Sequence, residues 1–384
     1  MATESRRVVV IGAGVTGLLT AVRCSLAGHQ VTVLDRGAIP NPGSTSFDQH
    51  RAVRALDPSD LAGTRRIAVA HRRWLALEAM LGTRFYRRVG MVTAWPVEEA
   101  DRIAAVAAEA GVPVTLTEPA ELPHVRFPEG TVGVREHHGG VLLADHALQA
   151  VVRWLAARPG VTLLPWQEVK AVDPETGEVH LPDARSLTAD LTLIATGPWS
   201  KDLVELPMLL HRQTLVYLKP PEELAAAWER TPGVGRIGSE GLAWLLPPGD
   251  GTLLKVSSAA VCREAELATD GSPEEELRWA EQVLAEPILT DPDRYQVLAV
   301  KRCHYLVDAG TGAAHLVRIG PATWARTASG GDGFRTAPLV ADRIVAALEN
   351  PEPFVPPTAP TGVPPTTPLT TPPTTPPTAG EEKP

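Results

Sequence analysis

The stretch VVVIGAGVTG, residues 8–17, constrains this chain more than any other. Four β-branched residues run straight into Gly12, and the residues that follow, VTGLLTAVRCSLAG, carry a helical apolar period. A buried strand that turns into a helix through Gly12, Gly14 and Gly17 opens a βαβ unit. The first glycine allows the tight turn and the second lets a diphosphate approach the backbone. The third lets helix and strand pack closely, with the phosphates at the positive helix N-terminus. QVTVLD supplies the second strand, and Asp35 closes it where a carboxylate accepts the ribose hydroxyls of an adenosine. A structural glycine turn in another α/β unit is the competing reading. Strand, helix and terminal acid together favour a dinucleotide.

The rest of the chain alternates in the same manner before changing texture. Residues 60–80 read as a long amphipathic helix, RVGMVTAW as a strand, and ADHALQAVVRWLAARPGVTLLPW as helix then strand. LTLIATGPWSKDL is a further apolar strand, ending in Ala195-Thr196-Gly197. From about Pro207 onward LHRQTLVYLKP, GLAWLLPPGDGTLLKVSS and QVLAVKRCHYLVD look like strands separated by turns, and GFRTAPLVADRIVAAL is a final helix. Dinucleotide-type pieces at both ends with a mixed sheet between them predict two interleaved domains. Residues 351–384, dominated by Pro and Thr, cannot bury enough apolar surface to offset their ordering entropy and read as a disordered tail.

Composition excludes several classes. At 384 residues the chain is too long for one small core. A formal net charge of −9 lacks the basic face that nucleic-acid binding needs. The three cysteines, Cys24, Cys262 and Cys303, are odd in number, far apart and without metal-ligand spacing, so neither a disulfide framework nor a metal site is expected. No run reaches the eighteen or so apolar residues that span a bilayer, and the N-terminus lacks a signal-peptide core. A cytoplasmic, reducing location is expected. Cys303 leaves four ordinary roles open: a buried apolar thiol, half of a disulfide, a metal ligand or a nucleophile.

Five stretches in this order, VVVIGAGVTG, STSFDQHRAVR, ATGPWS, GTLLKVSS, and KRCHYLV with SGGDGFRTAP, resemble the D-amino-acid oxidase superfamily. The similarity covers roughly Arg7 to Leu348 and is greatest to the monomeric sarcosine oxidase branch, which oxidises N-methyl amino acids, pipecolate and piperideine carboxylate. The resemblance implies an α/β fold in which a Rossmann-like FAD-binding domain (1–85, 140–205 and 300–350) is interleaved with a mixed-sheet substrate and oxygen-side domain (86–139 and 206–299). It implies FAD as cofactor, a small amine or imino-acid substrate with O2 as second partner, no nucleic acid, no membrane and a monomer. The implied reaction oxidises a C–N bond to an imine and reduces O2 to peroxide. A flavin dehydrogenase with another electron acceptor, and a redox-silent flavoprotein or adaptor working through the tail, are the alternatives.

The resemblance also assigns residues. Gly12, Gly14, Gly17, Asp35, Arg36, Arg51, Gly197, Trp199, Gly331, Gly333 and Phe334 become cofactor-binding positions. Arg54 matches the arginine that grips a substrate carboxylate, for which a guanidinium fork is suited. Arg335 is the second cation, where the family typically has lysine. On residue type alone Arg51 and Arg54 could be a solvated pair. Lys255 matches the lysine over the flavin that activates oxygen, since a fixed cation stabilises developing superoxide; otherwise it is a snorkelling surface residue. Trp244 matches a substrate-pocket aromatic, or is a core tryptophan. Cys303, in Cys-x-Tyr, matches the cysteine that carries the thioether to the flavin 8α-methyl, with an inert buried thiol as the alternative. Phe47 and Ala259 fall where relatives carry histidines, which points to a larger or more apolar substrate.

Overall fold

A computed structural model describes residues 4–266 and 271–354. The glycine-turn strand, Arg7–Ile11, lies in the middle of a six-stranded sheet, between Gln30–Leu34 and Leu191–Ile194. Val161–Leu164 and Thr323–Ala328 extend it in parallel on either side, and His315–Arg318 closes one edge antiparallel. The period-2 alternation of a strand explains why its run is apolar throughout. Val8 and Val10 point into a core shared with the helices Val15–Leu26, Ala144–Ala156 and Gly333–Glu349. Val9 and Ile11 point the other way, against the small antiparallel ribbon that includes Val179 and Leu187.

The long helix is Leu61–Leu81. The Asp60 carboxylate caps it by accepting from Gly63 N–H at 2.7 Å, and Gly82 ends it in the left-handed region at φ +60°. Its anchor is Trp74, buried at 1% exposure, stacked on Phe334 with centroids 5.9 Å apart and donating from Nε1 to Phe334 O at 2.9 Å.

The second large sheet has nine strands. Met208–Lys219 runs through it, paired along its length with Gln296–Asp308 and on its other side with Leu254–Ser258 and Arg263–Ala265. One face packs Val216, Leu218, Leu245, Leu254 and Val256 into a core with Trp228 and Val283. Strand pleating sends Tyr217 and Lys255 to the opposite face, where they meet the segment 44–50 that follows the second strand of the smaller sheet. The expected boundary at residue 300 falls inside the single strand Gln296–Asp308. The ladder from Met208↔Asp308 to Lys219↔Gln296 places residues 300–308 in the nine-stranded sheet, not with the dinucleotide strands.

The described chain also continues past the final helix. Arg318 donates to Glu352 O at 2.7 Å and lies over the Phe354 ring, and Arg343 pairs with Glu352. The tail expected from residue 351 thus begins with four residues laid on the smaller sheet's edge, and 355–384 lie outside the described residues. Among the described residues no helix is long and apolar enough to cross a membrane.

Candidate active site

A cavity of about 590 Å³ opens at the carboxyl ends of the parallel strands, where open α/β sheets bind ligands. Gly12, Gly14, Asp35, Arg36, Gly197 and Trp199 all line it. Gly12 has φ +101°, and a Cβ there would stand 2.4 Å from Ala195 O. Only glycine lets the turn and the Ala195–Gly197 strand end meet so closely. Gly17 does not reach the cavity. Its missing Cβ would lie 2.0 Å from Gly12 O, so it lets the helix seat beneath the turn. The Gly14 end of that helix carries no side-chain cap, and Val15 N–H donates to Ser46 Oγ at 3.0 Å. Asp35 accepts from Ala13 N–H, Gly37 N–H and Asn41 Nδ2, each at 2.9 Å, which fixes its carboxylate at the rim. Arg36 stacks on the Trp199 ring at 3.8 Å from the centroid. A glycine cradle that a side chain at Gly12 would fill, a helix N-terminus with no cap from its own first residues and a fixed rim carboxylate fit FAD.

The second half of the site is a buried charge cluster that joins Lys255 and Arg51 to a carboxylate the sequence reading left out, Asp48. Asp48, 5% exposed, accepts from Lys255 Nζ at 2.8 Å, from Arg51 Nη1 and from the Tyr217 hydroxyl. Lys255 is wholly buried and also donates to His50 O. Lys301 donates to Phe47 O beside them. Burial alone would raise the Asp48 pKa, but the charges of Lys255, Arg51 and Lys301 outweigh it and hold the carboxyl well below the usual range. Burial pushes Lys255 down to about 8, with Asp48 opposing that fall. Burial, then the Asp48 charge, raises Tyr217 and keeps it a protonated donor.

Cys303 shares this face. It pairs with Gln213, two residues from Lys301 opposite Leu215, and Gln213 Nε2 donates to Ser257 Oγ at 2.8 Å on the lysine strand. Its thiol is free, half-buried, and within electrostatic reach of Lys255, Arg51 and Lys301. Its neighbours His304 and Leu306 point to the other side and line the dinucleotide cavity. The other cysteines differ: burial pushes Cys24 up to about 12, and Cys262 lies 3.1 Å from the Tyr305 hydroxyl.

Arg54 and Arg335 come together at the end of the short strand Arg51–Val53. Arg335 Nε donates to Arg54 O at 3.0 Å and its Nη1 to Asp332 Oδ1 at 2.7 Å, while Arg54 Nη1 donates to Leu56 O at 3.0 Å. Burial, then the Arg335 charge, lowers the pKa of Arg54, so this pair favours an added anion. Buried Glu136 accepts from Ala55 and Leu56 N–H and fixes the backbone just after Arg54. His71 approaches Glu136 at 3.7 Å, but burial and then Arg335 push its pKa down to about 4, so at neutral pH they are not an ion pair. Trp244 is half-buried, opposite Ser257 on the strand beside Lys255.

Three assigned cofactor contacts, Gly331, Gly333 and Phe334, lie outside the lining of this cavity. Phe334 is 5% exposed with its ring stacked on Trp74, because the first turn of its helix buries that face in the core. It is a packing anchor, not a cavity residue. Gly333 lies against Val15 under the glycine turn, while Gly331, at φ +77°, turns the chain past the Tyr305 ring. Asp48 was legible in principle, since a wholly buried lysine needs a counter-ion. A carboxylate between Phe47 and Arg51 was the candidate at hand.

Peroxisomal sarcosine oxidases of Mus musculus and Homo sapiens are each 27% identical over 220 residues, 54% of this chain and 56% of theirs. The chain thus spans about half the length of the curated relatives it matches. In fold it is similar to an amadoriase I mutant from Aspergillus fumigatus (TM-score 0.73, 18% identity, 91% of this chain and 87% of that one). It is likewise similar to a fructosyl peptide oxidase from E. terrenum (TM-score 0.72, 20% identity, 91% and 90%). A family model described as FAD dependent oxidoreductase, DAO, matches residues 7–348, and the chain belongs to that family.

Proposed function

We propose that this protein is an oxidase that removes two electrons from the C–N bond of a secondary amine, imino acid or amino acid and delivers them to O2. The observation that carries this reading is the wholly buried Lys255 ammonium, pinned by Asp48 and His50 O on the sheet face that also holds Cys303. FAD, when bound, takes a hydride equivalent from the carbon beside nitrogen and passes the electrons to oxygen, giving peroxide. Lys255 supplies a fixed positive charge that needs no reorganisation when oxygen becomes negative. Arg54 and Arg335 receive and orient the substrate carboxylate by bidentate bonding. Cys303 would hold FAD by a thioether to the 8α-methyl, the thiol and methyl each losing a proton while two electrons pass through the flavin to O2.

The test is anaerobic mixing with cyclic imino acids, N-methyl amino acids and larger amino acids, following loss of the oxidised flavin absorbance, then peroxide after admitting air. Bleaching by one class with stoichiometric peroxide is the expected result. Bleaching that only a dye or quinone reverses would instead make the protein a dehydrogenase. For the tether, acid or detergent denaturation should leave the yellow colour on the polypeptide. Free flavin with Cys303 unmodified would remove that claim alone.

A further inference from the structure

Among the described residues, buried Arg326 forms no salt bridge, though the Asp332 charge acts on it. It is 8% exposed on the Thr323–Ala328 strand and lines the dinucleotide cavity with Thr327 and Ser329. Its Nη2 donates to the Thr336 hydroxyl at 3.0 Å, a neutral partner, and its Nε has no hydrogen-bond partner among the described residues. Asp332, the carboxylate that acts on it electrostatically, gives its side chain to Arg335 at 2.7 Å. Burial pushes its pKa down to about 10, and Asp332 only partly offsets this. A desolvated guanidinium is costly unless an anion or a set of acceptors receives its donors. Because this guanidinium lines the cavity, an anion or acceptor bound there would receive it.

The order of strands says which part of the ligand. Asp35, the Gly12–Gly14 turn, Ala195–Gly197 and Arg326 stand at the carboxyl ends of four successive strands. Asp35 marks the adenosine ribose and the glycine turn marks the diphosphate. Arg326 lies two strands beyond the turn, roughly 10 Å at ordinary strand spacing, on the side away from Asp35. We infer that Arg326 contacts the flavin half of FAD and holds its charge where the ring becomes negative on reduction. This rests on FAD being the bound dinucleotide. Two electrons and one proton entering the neutral ring leave one negative charge on it, so a fixed cation beside it favours the reduced state.

The experiment is the flavin midpoint potential of purified wild-type, Arg326→Met and Arg326→Lys proteins. Each is reduced slowly by xanthine and xanthine oxidase against a reference dye, with flavin content read from the spectrum. Arg326→Met should retain flavin while its reduction equilibrium shifts at least about tenfold toward the oxidised form, about 30 mV for a two-electron couple. Arg326→Lys should stay near wild type. If the Met variant does not fold, Arg326→Gln carries the same expectation. A charge-free variant with wild-type potential overturns the inference, as does a Lys variant as low as the Met one. Flavin lost from the Met variant with the residual flavin at wild-type potential would assign Arg326 to the diphosphate and also overturns it. A wild-type protein that binds no flavin would instead sink the FAD reading itself.

Discussion

A wholly buried lysine whose pKa lies near 8 sets the direction of a pH dependence. Lys255 is charged below that value and neutral above it, so the bimolecular rate of oxygen with reduced enzyme should fall as pH rises through about 8. Asp48 raises the lysine pKa, so Asp48→Asn should move the inflection to lower pH. Lys255→Met should slow reoxidation by roughly 10²–10³-fold, the scale of losing one preorganised charge donor, and leave the residual rate flat with pH. Stopped-flow mixing of photoreduced enzyme with oxygenated buffer across pH 6–10 reads all three. An unchanged rate in Lys255→Met would take the oxygen role from this residue. At this scale the sequence disclosed residue types better than their partners. Lys255, Arg54, Arg335 and Cys303 stood out by resemblance, whereas Asp48 and Arg326 acquire meaning only when residues far apart in the chain are brought together. Their signal is burial without a visible counter-charge, and burial is a property of the packed molecule.

Among the elements, the glycine turn and the tryptophan helix make the sharpest predictions. Gly12→Ala must adopt φ +101° and pass 2.4 Å from Ala195 O. The backbone strain alone is about 1–3 kcal/mol, and relief of the clash would part the turn from its neighbouring strand. The purified variant should lose most of its flavin, with wild-type flavin content counting against the assigned cradle. Trp74→Ala removes a buried ring that stacks on Phe334 and donates to its carbonyl. It should cost about 3–5 kcal/mol in urea unfolding; a loss under 1 kcal/mol would mean that the Leu61–Leu81 helix is held elsewhere. Strands with a local signature were legible, because period-2 alternation and flanking glycines are written locally. The allegiance of Gln296–Asp308 was not. It depends on a ladder with Met208–Lys219, about ninety residues away, and no local pattern encodes which sheet a strand will join.

Taken whole, the molecule is two sheets facing each other across the segment 44–54. That segment leaves the dinucleotide cavity at Ser44–Ser46 and delivers Asp48 to Lys255 and Tyr217 on the other sheet. A cofactor held by Gly12 on one sheet and Cys303 on the other would bridge both, so its removal should loosen them together. Cys303→Ser should release free flavin on denaturation. It should also lower the melting temperature in dilute flavin, since a reversible ligand stabilises only by mass action. Calorimetry with and without added FAD separates this from simple packing loss, which added FAD would not restore. A mixed sheet in the second half of the chain was legible, but the pairing of residues 300–308 with Met208–Lys219 was not. Strand pleating along Gln296–Asp308 has one further result. Because His304 and Leu306 face the nucleotide while Lys301 and Cys303 face the chemistry, the strand is a party wall between two rooms. Residues on the chemical side, such as Trp244, can be exchanged during divergence without disturbing the tenancy of the nucleotide behind it. A lineage built on this wall can change what it oxidises while keeping what it oxidises with.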